Sequence, residues 1–328
     1  MPSKGPKTPL VRDEQQNFVP PTRSIGMTNT EPQRVTAGKT DDIWYVDVEL
    51  FDTTGYGSVY LITGDEPAIV DTGTGRNYQT ILDGLAALGI APEELSAILL
   101  THVHLDHAGG ASPLVDACPN ADVYIHESGV RFLRDPTRLW EGTKQVLGER
   151  IAYYREPDPI PKHRIIELTD GETVTLGNRK LDVHHAPGHA FHQVVYHDRP
   201  SNGIFTADAA GIYLPSIGRI RHTSPPPGFN FEGCLEDIEM LESLDSTALY
   251  YGHFGDQPTE DRLTEYRNVL TEWVESVAEK RTELGDDEEV IEYFVTHVET
   301  TETWREAHAR GEERMNVEGV LHYLDNRE

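Results

Sequence analysis

An α/β fold of sheets flanked by helices is the class this sequence predicts, and three observations predict it. Short β-rich runs alternate with helical patterns from Ile43 to Tyr251. Helical periodicity alone continues from Thr259 towards the C-terminus. Four ligand-capable side chains, His102, His104, Asp106 and His107, follow directly on one apolar strand, where a sheet edge would present them together.

Taken in order, residues 1–42 form a proline-rich N-terminal tail, with prolines at 2, 6, 9, 20, 21 and 32 and almost no apolar periodicity. A catalytic domain is predicted over 43–258. Ile43–Leu50 alternates as a half-buried strand does, and Val59–Thr63 and Ala68–Asp71 are short and β-rich. Asn77–Leu88 places Ile81, Leu82, Leu85 and Leu88 on one helical face and is stopped by Gly89. Ala97–Leu100 is an apolar strand running into Thr101-His102. Further strands are expected at Val123–His126, Ile165–Leu168, Leu181–His185, Gln193–His197 and Gly203–Thr206, then a helix over Phe231–Leu244 and a last strand at Ala248–Tyr251. Between His126 and His163 a helical segment carrying Trp140, Tyr153 and Tyr154 interrupts the strand pattern. Residues 259–328 form a C-terminal helical region, opening with Thr259 as N-cap and Leu263, Tyr266, Leu270, Trp273 and Val277 at helical spacing.

Composition bounds the function. Of 328 residues 37% are hydrophobic, enough for a packed core, so wholesale disorder is excluded. No stretch approaches the ~20 apolar residues that span a bilayer, and the N-terminus lacks the apolar core of a signal peptide, so the expectation is a cytoplasmic protein without a membrane partner. Two cysteines, Cys118 and Cys234, cannot build a disulfide framework or a four-cysteine zinc site. Asp and Glu number 56 against 28 Lys and Arg, a net charge of -28, and only seven of the basic residues are lysine. Abundant short carboxylates with scarce lysine are what a halophilic protein needs to stay solvated in molar salt. The same charge argues against nucleic acid as a partner and leaves a small-molecule substrate as the expectation.

The chemistry concentrates in Thr101-His102-Val103-His104-Leu105-Asp106-His107-Ala108-Gly109-Gly110. An extended backbone across His102 and His104 turns both imidazoles to one side, where they can share one ion. Asp106 and His107 come after a turn and can face a second position. Three more pieces each end a strand-like run: Pro187-Gly188-His189, Thr206-Ala207-Asp208 and Tyr251-Gly252-His253. A single His or Asp at a strand end is usually a turn residue; four such ends together form a credible metal site. Among the other histidines, His192 lies three residues beyond His189, close enough to support a ligand. His126 reads as structural, and His222, His297, His308 and His322 as surface residues.

This order of motifs, with Ile69-Val70-Asp71-Thr72-Gly73 ahead of it, resembles the metallo-β-lactamase superfamily, and the Leu105–Gly110 wording is similar to its glyoxalase II and lactonase-type members. The resemblance covers about residues 43–258. It implies an αββα sandwich, here with added C-terminal helices. It also implies a dinuclear site: one divalent metal held by His102, His104 and His189, a second by Asp106, His107 and His253, with Asp208 bridging. Asp71 would brace the ligand loops without touching metal. Nitrogen and oxygen donors suit zinc, the first choice, and also Fe or Mn.

The implied activity is hydrolysis of a small ester, thioester or lactone by a metal-bound hydroxide, with Asp106 orienting it and no protein nucleophile. Trp140, Tyr153 and Tyr154 would form part of the substrate wall, since insertions are where a shared fold varies specificity. Three alternatives stand beside this reading. One is an iron oxygenase resembling the persulfide dioxygenases, using His102, His189 and Asp208; full retention of Asp106, His107 and His253 argues against it. Another is a nuclease of the superfamily, which would need a basic groove or clamp. The last is a non-catalytic protein whose metals only hold shape.

The charge pattern yields the first prediction. At ~0.15 M salt the Debye length is ~8 Å and the carboxylates repel one another, whereas at 1 M it falls to ~3 Å. The melting temperature should therefore rise between low and molar KCl, and an unchanged value would reject the halophilic expectation.

Overall fold

The computed structural model describes residues 31–301, 304 and 306–327; most of the expected N-terminal tail, residues 1–30, lies outside the described residues. Strand β1 (Gln33–Arg34) pairs antiparallel with β2 (Ile43–Asp47), so the last part of the expected tail is attached to the first sheet. The amides of Thr36 and Ala37 both donate to Asp256 at 2.6 Å. Strands β3 (Ser58–Ile62) and β4 (Ala68–Val70) extend the sheet antiparallel. Strands β5 (Ala97–Leu99), β6 (Asp122–His126) and β7 (Ile165–Leu168) complete it in parallel, so its strands lie side by side in chain order.

Parallel neighbours need crossovers, and the helices supply them. Helix α1 (Tyr78–Ala87) joins β4 to β5, the short α2 (Leu105–Ala108) and α3 (Ala111–Ala117) join β5 to β6, and α4 (Val130–Arg134) and α5 (Thr137–Leu147) fill the gap before β7. The second sheet contains β8 (Thr173–Leu176), β9 (Arg179–His185), β10 (Val194–Asp198) and β11 (Gly203–Ala207). A separate hairpin, β12 (Ile212–Leu214) and β13 (Arg219–Arg221), and helix α6 (Phe231–Ser243) precede its last strands, β14 (Ala248–Tyr251) and β15 (Gly255–Pro258). The order across this sheet is β15-β14-β11-β10-β9-β8, with β11 and β14 parallel. Helices α7 (Arg262–Leu284), α8 (Asp287–His297) and α9 (Glu306–Asp325) close the chain.

The two-residue strand period explains the layers. In β3 and β4, Val59, Leu61 and Ile69 face the helices α1 and α3, while Tyr60, Ile62, Ala68 and Val70 face the second sheet. In β10 and β14, Val195, Leu249 and Tyr251 face α6 to α9, while Val194, Tyr196, Ala248 and Tyr250 meet the first sheet. The result is an αββα sandwich with added C-terminal helices sharing the core of the second sheet. Tyr60 stitches the sheets together, its hydroxyl donating to the carbonyls of Tyr251 and Gly255 at 2.9 and 2.6 Å. Among the described residues no helix is long and apolar enough to cross a membrane.

Several expectations need correction. Thr259 does not cap α7. The helix starts at Arg262 after Asp261, and Thr259 contributes only its carbonyl, which accepts from the Arg262 amide at 2.8 Å. Short strands such as β8, β12, β13 and β15 escaped the sequence reading because three or four residues carry too little pattern. His222 and His308 are not surface residues. His222 stacks on Trp273 with centroids 3.7 Å apart, and His308 is 8% exposed between Phe51, Tyr56 and Trp304. Both are covered because the C-terminal helices fold back over the sandwich.

Burial pulls His308 down to about 4, below its ordinary value near 6.5. The unfolded chain then binds the proton first, so stability is lost as pH falls from about 6.5 towards about 4. Urea midpoints at pH 7.5 and 4.5 should differ less for His308→Leu than for the parent chain; an equal difference would place the acid sensitivity elsewhere.

Candidate metal centre

The seven expected ligands come from strand ends on one rim of the sandwich. His102 and His104 follow β5, His189 follows β9, Asp208 follows β11 and His253 follows β14, while Asp106 and His107 sit on α2. The loop after β5 is clamped from the second sheet: Tyr196 donates its hydroxyl to the Leu100 carbonyl and Val194 its amide to the Thr101 carbonyl, both at 2.8 Å. Backbone proximity explains two of the glycines. A Cβ on Gly109 would collide with the backbone of Leu105 and Thr74, and one on Gly188 with Cys234 at the start of α6.

Two groups of donor atoms result, His102, His104, His189 and Asp208 in one, Asp106, His107 and His253 in the other, each with all its donor atoms within 4.8 Å of one another. Asp208 lies between them. Its Oδ2 is 3.4 Å from His102 Nε2, 3.2 Å from His107 Nε2 and 3.3 Å from His189 Nε2, and its Oδ1 is 3.6 Å from His253 Nε2. Asp106 Oδ2 is 3.5 Å from His253 Nε2.

The surrounding hydrogen bonds fix which nitrogens are free. Asp71, at the end of β4, accepts at Oδ1 from the Thr101 amide and hydroxyl, both at 2.9 Å. Its Oδ2 lies 2.8 Å from His107 Nδ1, which must therefore carry the proton. His253 Nδ1 faces the Tyr56 carbonyl at 3.0 Å and must donate too. In their neutral forms His107 and His253 would thus turn lone pairs towards each other across the 3.2 Å between their Nε2 atoms. The Thr101 hydroxyl, committed to Asp71, can only accept from His102 Nδ1 at 3.1 Å, which leaves His102 Nε2 a buried lone pair with no hydrogen-bond partner. Asp208 Oδ1 is buried without one as well. Lone pairs converging in a buried space fit a cation and little else.

The electrostatics show that the site draws positive charge, a proton on His107 where no other cation supplies it. Burial disfavours the charged form of His107, but Asp208, Asp71 and Asp106 outweigh it and hold the imidazole well above its ordinary value. Burial also opposes ionisation of Asp208 and Asp106, yet the neighbouring histidines hold both below the usual carboxylate range. His189 is pulled down to about 3, because burial and the neighbouring His104 and His107 outweigh Asp208. His192 is buried beside the first group, its ring parallel to that of His102 at 6.0 Å, with no ligand atom in either group.

Five of the seven, His104, Asp106, His189, Asp208 and His253, line a cavity of about 410 Å³. Of the aromatics expected on its wall, Tyr154 lines it and Tyr153 and Trp140 do not. Tyr153 packs edge-on against Phe51 at 5.6 Å. Helix α5 turns Leu139, Thr143 and Val146 inward, so Trp140, rotated by about 100° from Leu139, lies on another face. Four contributors had no signal in the sequence. Tyr56 lies beneath His253, Glu312 and Met315 reach the cavity from α9, and Asp237 of α6 accepts from the Gly188 amide at 2.7 Å, holding the loop before His189. None is near the motifs in sequence.

The Asp71 contacts make the next prediction. Asp71 has a left-handed backbone, φ 61°, which asparagine tolerates. Asp71→Asn should fold normally yet bind divalent metal about 10–100-fold more weakly in chelator competition. Unchanged affinity would show that Asp71 does not set the imidazole tautomers.

The family model described as "Metallo-beta-lactamase superfamily" matches residues 52–253. The hydroxyacylglutathione hydrolase of Aeromonas salmonicida is 29% identical over 174 residues, 53% of this chain and 52% of that protein. The acyl-coenzyme A thioesterase MBLAC2 of Gallus gallus is 25% identical over 181 residues, 51% of this chain and 62% of that protein. The chain thus spans between half and two thirds of the length of these curated relatives. Among solved structures, the metallo-beta-lactamase superfamily protein ST1585 of Sulfolobus tokodaii aligns with TM-score 0.63 at 19% identity, covering 86% of this chain and 99% of that one. The metallo-beta-lactamase family protein TTHA1429 of Thermus thermophilus aligns with TM-score 0.59 at 22% identity, covering 83% and 89%. Both likenesses are of fold.

Proposed function

The chain belongs to the metallo-beta-lactamase superfamily, and from that premise we propose that it is a dinuclear metal-dependent hydrolase of a small ester, thioester or lactone. The observation that carries the reading is the pair of donor groups sharing Asp208 on the wall of one cavity. The names of two relatives, a hydrolase of hydroxyacylglutathione and a thioesterase of acyl-coenzyme A, support the bond type. His102, His104 and His189 would hold one divalent ion, Asp106, His107 and His253 a second, and Asp208 both, with zinc the first choice and Fe or Mn compatible.

Such ions, when bound, supply ionised water at neutral pH and polarise a carbonyl oxygen. The chain's own residues do the rest. Asp71 and the Tyr56 carbonyl fix the tautomers of His107 and His253. Asp106, kept ionised by its histidine neighbours, faces the cavity and accepts a hydrogen bond from the attacking water, orienting it towards the carbonyl carbon. A cysteine nucleophile is disfavoured, because burial pushes the Cys118 thiol up to about 11 and the Cys234 thiol well above its ordinary value.

Elemental analysis of protein purified without chelator should return about two divalent ions per chain, and Asp208→Ala should lose both. Against a panel of thioesters, lactones and phosphodiesters, Asp106→Asn should lower kcat more than it raises KM, because its hydrogen bond matters as charge moves in the transition state. Hydrolysis that survives complete metal removal, or turnover confined to phosphodiesters, would overturn the proposal.

A further inference from the structure

Away from the donor groups the cavity is mostly apolar. Phe132 of α4, Leu139, Val146 and Leu147 of α5, Met315 of α9 and Pro226 line it. The polar side chains of this part are Arg138 and Gln145, both exposed, the half-buried Thr143, the buried Thr223 and the buried Glu312, whose charge is paired with Arg150 at 2.6 Å. Resting on the hydrolase reading, we propose that this chamber takes the straight apolar chain of an acyl ester or acyl thioester, with the carbonyl at the donor groups and the chain between α5 and α9.

Three features support the assignment. The chamber is preformed, because α9 is locked in place. Besides Arg150–Glu312, Arg221 pairs with Glu313 at 2.8 Å, and the Ser224 amide donates to Asn316 at 2.6 Å. Trp273 donates to the Ser224 hydroxyl at 3.0 Å, tying α7 into the same knot. The far wall comes from α9, which lies outside residues 52–253. Finally, an apolar chamber discriminates by chain length. Each buried methylene contributes ~0.8 kcal/mol, about fourfold in affinity. At roughly 30 Å³ per water-sized group, the 410 Å³ cavity holds about fourteen such groups. With part of it given to the carbonyl end, the gain should stop at about six to ten carbons.

The test uses metal-loaded, full-length protein and two readouts. Binding of straight-chain 2-alkanones, which carry no hydrolysable bond, should tighten about fourfold per methylene up to the break. The kcat/KM for acyl thioesters of increasing length should follow the same curve. Met315→Trp and Val146→Trp, on opposite walls and both half-buried, should each move the break to shorter chains, and Met315→Ala should move it to longer ones. Flat dependence on chain length in both readouts, or breaks that no variant moves, would overturn the chamber assignment while hydrolysis, if seen, stands. Length-dependent alkanone binding without turnover of any ester, thioester or lactone would instead uphold the chamber and reject the hydrolase reading.

Discussion

Both faces of the central strands are apolar, and this constraint governs the rest of the structure. Strands β3, β4, β5, β10 and β14 bury one row of side chains against helices and the other against the opposite sheet. A polar side chain on either face would sit in hydrocarbon without a partner, at a cost of several kcal/mol if charged. Polar chemistry is thereby expelled to the strand ends, and the loops leaving β4, β5, β9, β11 and β14 carry it at one rim. The site is a consequence of how the sandwich is packed.

At that rim the problem reverses, because carboxylates and imidazoles are packed where water is scarce. Asp71 accepts three protein hydrogens, one carboxylate thereby orienting Thr101 and two imidazoles, His107 directly and His102 through the threonine hydroxyl. Ring nitrogens of His107 and His253, and of His104 and His189, face one another across little more than 3 Å. Such an arrangement holds positive charge or it repels itself. It is also why single substitutions at the rim should act on the group as a unit, since each donor is oriented by contacts that its neighbours share.

The C-terminal helices use a different means. They pack apolar residues onto the outer face of the second sheet and carry buried ion pairs, Arg150–Glu312 and Arg221–Glu313, across to the rest of the chain. Buried pairs add little net stability but penalise misregistered packing, where one charge would be left alone. For a helix that forms one wall of a cavity, fixed register is the useful property. Helix α9 is, on this view, a built part of the cavity as well as of the outer layer.

Much of this was legible in the amino-acid order alone, because it is local. Alternation marked β2, helical spacing marked α1, α6 and α7, and the run from His102 to His107 carried four donors on its own. His189, Asp208 and His253 were legible too, since each follows a strand that its own sequence declares. Their convergence was inferred from family resemblance, and the tertiary structure supplies the distances. Tertiary structure alone decided the rest. Glu312 and Met315 meet the cavity because α9 folds back across more than 100 residues of chain, Asp237 finds Gly188 from 49 positions away, and His308 is buried by aromatic residues from both ends of the described chain. Trp140 misses the cavity by one helical position. Periodicity reports which face of an element is apolar, but what that face meets is set by long-range packing, which leaves no mark on neighbouring residues.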